Sequence, residues 1–117
     1  MKELNTLELM EKMKDDPDFL GVFPIDKLPK NPTPTKLMKL IANLDPANLE
    51  GSHWVAMLVN NGQGLYFDSF GRLPPMEAQQ WLALNSTQWS WNPIVVQLPS
   101  DNILCGHLCV AFLKKFC

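Results

Sequence analysis

Residues 54–59 (Trp-Val-Ala-Met-Leu-Val) form an unbroken apolar run of strand length, followed at once by Asn60-Asn61-Gly62-Gln63-Gly64. Leu65-Tyr66-Phe67 then resumes the apolar character. Asn and Gly tolerate the left-handed backbone angles that a tight strand-to-strand turn needs, so this segment predicts a β-hairpin at the centre of the chain. Upstream, Leu4, Leu7, Met10 and Met13 recur every three residues with Leu9 alongside and Glu and Lys on the other side. That spacing predicts an amphipathic helix ending at Asp15-Asp16-Pro17. Phe19-Leu20-Gly21-Val22-Phe23, broken by Pro24, reads as a short extended or turn segment. Pro29, Pro32 and Pro34 make a stiff connection.

Residues 35–44 read as a second helix. Thr33-Pro34 supplies a capping hydroxyl and a proline at the first helical position, and Leu37, Leu40, Ile41 and Leu44 form the buried stripe. After the hairpin, Pro74-Pro75 opens a third helix over residues 76–84, and a polar, Trp-rich connection follows. Residues 93–98 read as another strand, Pro99-Ser100-Asp101-Asn102 as a turn, and residues 103–116 as a last helix. Lys114 and Lys115 suit the negative end of that helix. The expected fold is a single α+β domain over residues 1–117, with a small central mixed or antiparallel sheet flanked by helices.

Composition narrows the function classes. With 46% hydrophobic and 19% charged residues the chain is of globular type. A net charge of −2 provides no basic field for nucleic acid or an anionic membrane. The sole basic residue between Leu40 and Leu113 is Arg72. No window approaches the roughly 20 apolar residues of a membrane span. The three cysteines are too few and odd in number for a disulfide framework. A soluble, intracellular protein is expected.

The chemistry-bearing residues fall at element ends. His53 opens one strand of the hairpin and Asp68 follows the other, which places both at the same end of it. Gln97 ends a predicted strand, and Cys105 lies in the first turns of the last helix. There the unpaired N–H groups and the positive helix end favour a thiolate. Imidazole is the usual base for a thiol, and an acidic residue can fix its tautomer. The Gln97 amide and the Cys105 backbone N–H could hold an oxyanion. Gly106, lacking a side chain, would let a substrate carbonyl approach.

These residues resemble a known family. Gly51-Ser52-His53-Trp54-Val55-Ala56, Leu65-Tyr66-Phe67-Asp68-Ser69-Phe70-Gly71, Gln97 and Cys105-Gly106 look like adenain, the adenovirus maturation endopeptidase, of the same clan as the SUMO-specific proteases. The segment Asp18-Phe19-Leu20-Gly21-Val22-Phe23 and residues 35–44 look like the stretch before that family's histidine. The resemblance implies a cysteine endopeptidase that cleaves viral precursor proteins near small residues such as Gly, within a host cell or virion. It matches His53 to the general base, Asp68 to the acidic member, Cys105 to the nucleophile and Gln97 to the oxyanion amide. Trp54 matches the aromatic residue beside the site, where it would narrow the substrate channel.

Three departures accompany it. The interval from Gln97 to Cys105 is slightly longer than in the family. The chain ends soon after the Cys105 helix, so a minimal or truncated enzyme is expected, and an activating viral peptide would be its partner. The acidic balance argues against the DNA cofactor that adenain uses, and no cysteine matches the one that holds adenain's peptide. No cofactor and no metal are expected. Cys105, His107 and Cys109 could suggest a metal, but the middle residue points off the face shared by the other two. Cys109 is expected in the core and Cys117 as an exposed terminal thiol. Trp81, Trp89 and Trp91 suit packing or a peptide groove. A deconjugating isopeptidase for ubiquitin-like proteins, an acyltransferase and an inactive binding module remain as alternatives.

Overall fold

The computed structural model describes residues 4–30, 37–44, 53–92 and 105–116. In chain order the elements are α1 (Thr6–Lys12), β1 (Phe19–Pro24), β2 (Leu37–Asn43), β3 (Trp54–Asn60), β4 (Gln63–Phe67), α2 (Met76–Asn85), β5 (Gln88–Trp91) and α3 (Cys105–Leu113). A short 3-10 turn, Ile25–Lys27, follows β1. The expected class, α+β with a mixed sheet, is the one the chain adopts. Strand order is β1-β2-β3-β4-β5. The β2–β3 and β3–β4 pairs are antiparallel, and both outer pairs are parallel.

The hairpin forms as its turn chemistry requires. Asn61 (φ 51) and Gly62 (φ 84) both take positive φ at its tip, and β3 and β4 pair from Asn60↔Gln63 to Ala56↔Phe67. Along β3 the side chains alternate between two cores. Trp54, Ala56 and Leu58 join Leu4, Leu9, Met13, Cys105 and Cys109 on the face covered by α1 and α3. Val55, Met57 and Val59 join Ala78, Trp81 and Leu82 on the face covered by α2. Because both faces of β3 are covered, the strand reads as a continuous apolar run.

Two expectations are corrected. Residues 35–44 were expected as a helix, whereas Leu37–Asn43 is strand β2. Its Leu, Met, Lys and Ala residues favour helix intrinsically, but β2 is paired along both edges and covered on both faces. Leu37 and Ile41 enter one core while Met38, Leu40 and Ala42 enter the other. Tertiary burial therefore outweighs a propensity of a few tenths of a kcal/mol per residue. Second, the Trp-rich connection contains β5, whose Trp89-Ser90-Trp91 alternation is a strand period. Of the two readings of residues 19–23, extended or turn, the extended one holds: they form edge strand β1, bulged near Gly21 (φ 141).

The N-terminal helix forms, but with a different buried stripe. Leu4, Leu9 and Met13 are buried, whereas Leu7 and Met10 are exposed. Asn5 caps it reciprocally with Glu8. The predicted strand over residues 93–98 lies outside the described residues.

Candidate active site

The hairpin sets up the site. The antiparallel register Ala56↔Phe67, extended by three residues, places His53 opposite Phe70. Their rings stack with centroids 4.8 Å apart and planes inclined by 28°. His53 Nε2 lies 2.8 Å from Asp68 Oδ1. The same oxygen accepts the Phe70 amide N–H at 2.8 Å, so the turn after β4 and the imidazole share one carboxylate atom. The Arg72 guanidinium sits over the Phe70 ring, 4.7 Å from its centroid.

The thiol arrives from the other side. Cys105 is the first described residue of α3, on the α1/α3 face of the sheet. The Trp54 amide, next in sequence to His53, donates to Cys105 Sγ at 3.3 Å. His53, Asp68 and Cys105 are thus brought together. Cys105 and Asp68 are fully buried, and His53 is nearly so. With Nε2 committed to Asp68, the buried Nδ1 makes no hydrogen bond of ordinary geometry among the described residues. Burial disfavours the imidazolium, but hydrogen bonding and charge from Asp68, together with Cys105, outweigh it and raise the His53 pKa to about 9. Burial, with Cys105 and Asp68 adding to it, pushes the Cys109 thiol well above its ordinary value. That thiol is a core group, as expected.

The remaining expected residues fall as follows. Trp54 is buried, and its indole N–H donates to the Leu4 carbonyl at 3.1 Å. A Cβ on Gly106 would meet Trp54 Cδ1 at 3.2 Å, Leu9 Cδ2 at 3.3 Å and Leu4 Cβ at 3.4 Å. In this structure both residues make packing contacts that seat α1 and β3 against α3. Gln97 and Cys117 lie outside the described residues. Among the described residues no group of three His, Cys, Asp or Glu side chains is placed to hold a metal, and no helix is long and apolar enough to cross a membrane. Trp81 is buried beneath the sheet with its N–H on the Pro29 carbonyl, whereas Trp89 and Trp91 lie with ring centroids 6.4 Å apart.

Two residues of the site escaped the sequence reading. Phe70 stands in the stretch of residues 65–71 that resembles adenain, but with no role of its own there. Asn92 sat in a segment read as a connection, yet its side chain bonds both backbone groups of Asp68. The Trp-Ser-Trp alternation before Asn92 was the available signal, since it marks a strand running toward Asp68.

The fold has a counterpart among solved structures. The crystal structure of the ASFV pS273R protease superposes with a TM-score of 0.65 over 99% of this chain, at 13% identity. The chain shares that protease's fold. A selenomethionine form of the same protease matches at a TM-score of 0.49 and 22% identity, covering 73% of this chain and 37% of that one. The chain spans 59% of the length of the first of these structures. No family model matches the sequence, and no curated protein matches it.

Proposed function

We propose that this chain is a cysteine endopeptidase. The observation that carries the reading is the 2.8 Å contact of His53 Nε2 with Asp68 Oδ1, beside a buried thiol held by the next residue's amide. The fold shared with a viral protease supports it. In the resting pair the Cys105 proton already sits on His53 Nδ1, as the raised His53 pKa favours, and the thiolate sulfur attacks the peptide carbonyl carbon. The tetrahedral oxyanion takes hydrogen bonds from the Cys105 backbone N–H and the Gln97 amide. It collapses as the C–N bond breaks, and His53 Nδ1–H protonates the departing amine. His53 then takes a proton from water, hydroxide adds to the thioester, and Cys105 leaves as thiolate. Asp68 keeps its charge throughout and holds the imidazolium in place.

By resemblance to adenain the substrates are viral precursor proteins cut near small residues such as Gly, inside a host cell or virion, with a viral peptide as the activating partner. The finer roles of Trp54 and Gly106 at the substrate channel belong to the same reading. The test is a panel of internally quenched Gly-containing peptides beside tagged ubiquitin-like proteins. Cleavage of the peptides that is lost in Cys105→Ala and kept in Cys109→Ala is the expected result. Release of ubiquitin-like tails with inert peptides would make the chain a deconjugating isopeptidase instead. No turnover of either, with Cys105 no more reactive than Cys117, would make it a binding module.

A further inference from the structure

Strand β4 ends at Phe67, and Asp68 is the first residue beyond it. A residue in that position has lost its ladder partners, and its backbone groups are buried with it. The parallel pairing of β4 with β5, last recorded at Tyr66↔Trp91, extends to place Asn92 opposite Phe67. The Asn92 amide N–H then donates to the Tyr66 carbonyl at 3.3 Å, continuing the ladder. One step further the backbone stops and the side chain takes over. Asn92 Oδ1 accepts the Asp68 N–H at 2.9 Å, and Asn92 Nδ2 donates to the Asp68 carbonyl at 2.7 Å. A carboxamide has the donor and acceptor of a peptide group side by side. Here it serves as one more rung of sheet, made to the residue that holds His53.

We infer that Asn92 is a positioning residue for the acid–base pair: its side-chain amide clamps the backbone of Asp68, and so fixes where the carboxylate meets His53 Nε2. The inference rests on the protease reading for its functional meaning, though the clamp itself is geometric. The Asp68 carbonyl also accepts the Gly71 N–H at 2.8 Å, and Oδ1 also accepts the Phe70 N–H. Four of the hydrogen bonds that aim the carboxylate are therefore made by backbone or amide groups, which do not titrate. Asp68 Oδ2 is buried and makes no hydrogen bond among the described residues, so among them the carboxylate is aimed through Oδ1 and the backbone that carries it. Loss of the Asn92 rung frees that backbone to shift. A displacement of a few tenths of an ångström lengthens the contact to His53 and weakens the charge–charge attraction across it.

The readout is the imidazole itself. Among the described residues the titratable and charged groups around it are Asp68 and Cys105 beside it, Arg72 over the Phe70 ring, and Tyr66 and Cys109 farther along the same elements. NMR of the ring protons in the full chain follows His53, with His107 as internal control. In Asn92→Ala the His53 midpoint falls by about one pH unit, a tenfold weaker hold on the proton, while that of His107 stays put. Asp68→Asn, measured in parallel, lowers the His53 midpoint further. If Asp68→Asn lowers the midpoint and a folded Asn92→Ala does not, the clamp is refuted and the protease reading survives. If neither lowers it, the ion-pair basis of both fails. A measurement on the unaltered chain covers the case in which Asn92→Ala does not fold. The Asn92 side-chain N–H protons exchange slowly with solvent if the rung exists, and exchange at the rate of free amide overturns it.

Discussion

Lys39 Nζ lies 2.6 Å from Asp16 Oδ2 in the interior of the α1/α3 layer, and the same ammonium donates to the Phe116 carbonyl. Lys39 is 2% exposed and Asp16 19% exposed. One cation therefore ties three distant parts of the chain together: the end of α1, strand β2 and the segment after α3. Burial makes the two partners unequal. Asp16→Ala leaves a buried ammonium with only a carbonyl and costs about 3–5 kcal/mol. Lys39→Met fills the same space with an apolar chain and leaves a carboxylate that can turn to water, so its cost is under half of that. Urea denaturation of the two variants, compared with the unaltered chain, checks the order.

His53 gives a pH dependence of stability with a definite sign. Its pKa is about 9 when folded against 6.5 for the free side chain. A proton held more tightly in the folded state stabilises it fully below pH 6.5, and the contribution is lost as pH rises through about 9. The loss is of order 3 kcal/mol. Denaturation midpoints measured between these limits should fall with pH, and the fall should shrink in His53→Gln.

Asp68→Asn keeps the shape of the side chain and its place beside Phe70 but removes the charge. Burial then dominates the imidazole, and the His53 midpoint drops well below its value in the unaltered chain. Peptide hydrolysis should fall about 10²–10⁴-fold with little change in KM, because the loss is in the acid–base step. Steady-state rates on the quenched peptides check this.

Gly106→Ala puts a methyl group against the Trp54 ring, Leu9 and Leu4 at 3.2–3.4 Å. Those neighbours must each yield by a few tenths of an ångström, and overpacking of this kind costs about 1–3 kcal/mol. Thermal unfolding measures the cost. Because the Trp54 amide also holds Cys105 Sγ, the variant should lose activity even at temperatures where it remains folded.

Much of the site could be read along the chain because it depends on local structure. The hairpin with its Asn61-Gly62 tip forms from turn chemistry alone, and a hairpin brings its two ends together whatever surrounds it. The meeting of His53 with Asp68 follows from that, and so does the placing of α2 after Pro74-Pro75. Other features depend on what covers each segment, which local pattern does not encode. Residues 37–43 carry a helix-like spacing of leucines, yet they form a strand because two cores, one on each face, take alternate side chains. The same burial decides that Leu9 and Met13 face the core while Leu7 and Met10 do not, and that Lys39 lies inside. Asn92 acquires its role only when β5 lies parallel to β4 and ends level with Tyr66, one residue short of Asn92. Sequence alone determined which groups could do acid–base chemistry and how the hairpin would pair two of them. The tertiary structure decided their surroundings: Cys105 beneath the Trp54 amide, Phe70 against the imidazole and Asn92 on the Asp68 backbone. These contacts join residues far apart in the chain, and they form only when the sheet and both its covering layers are in place.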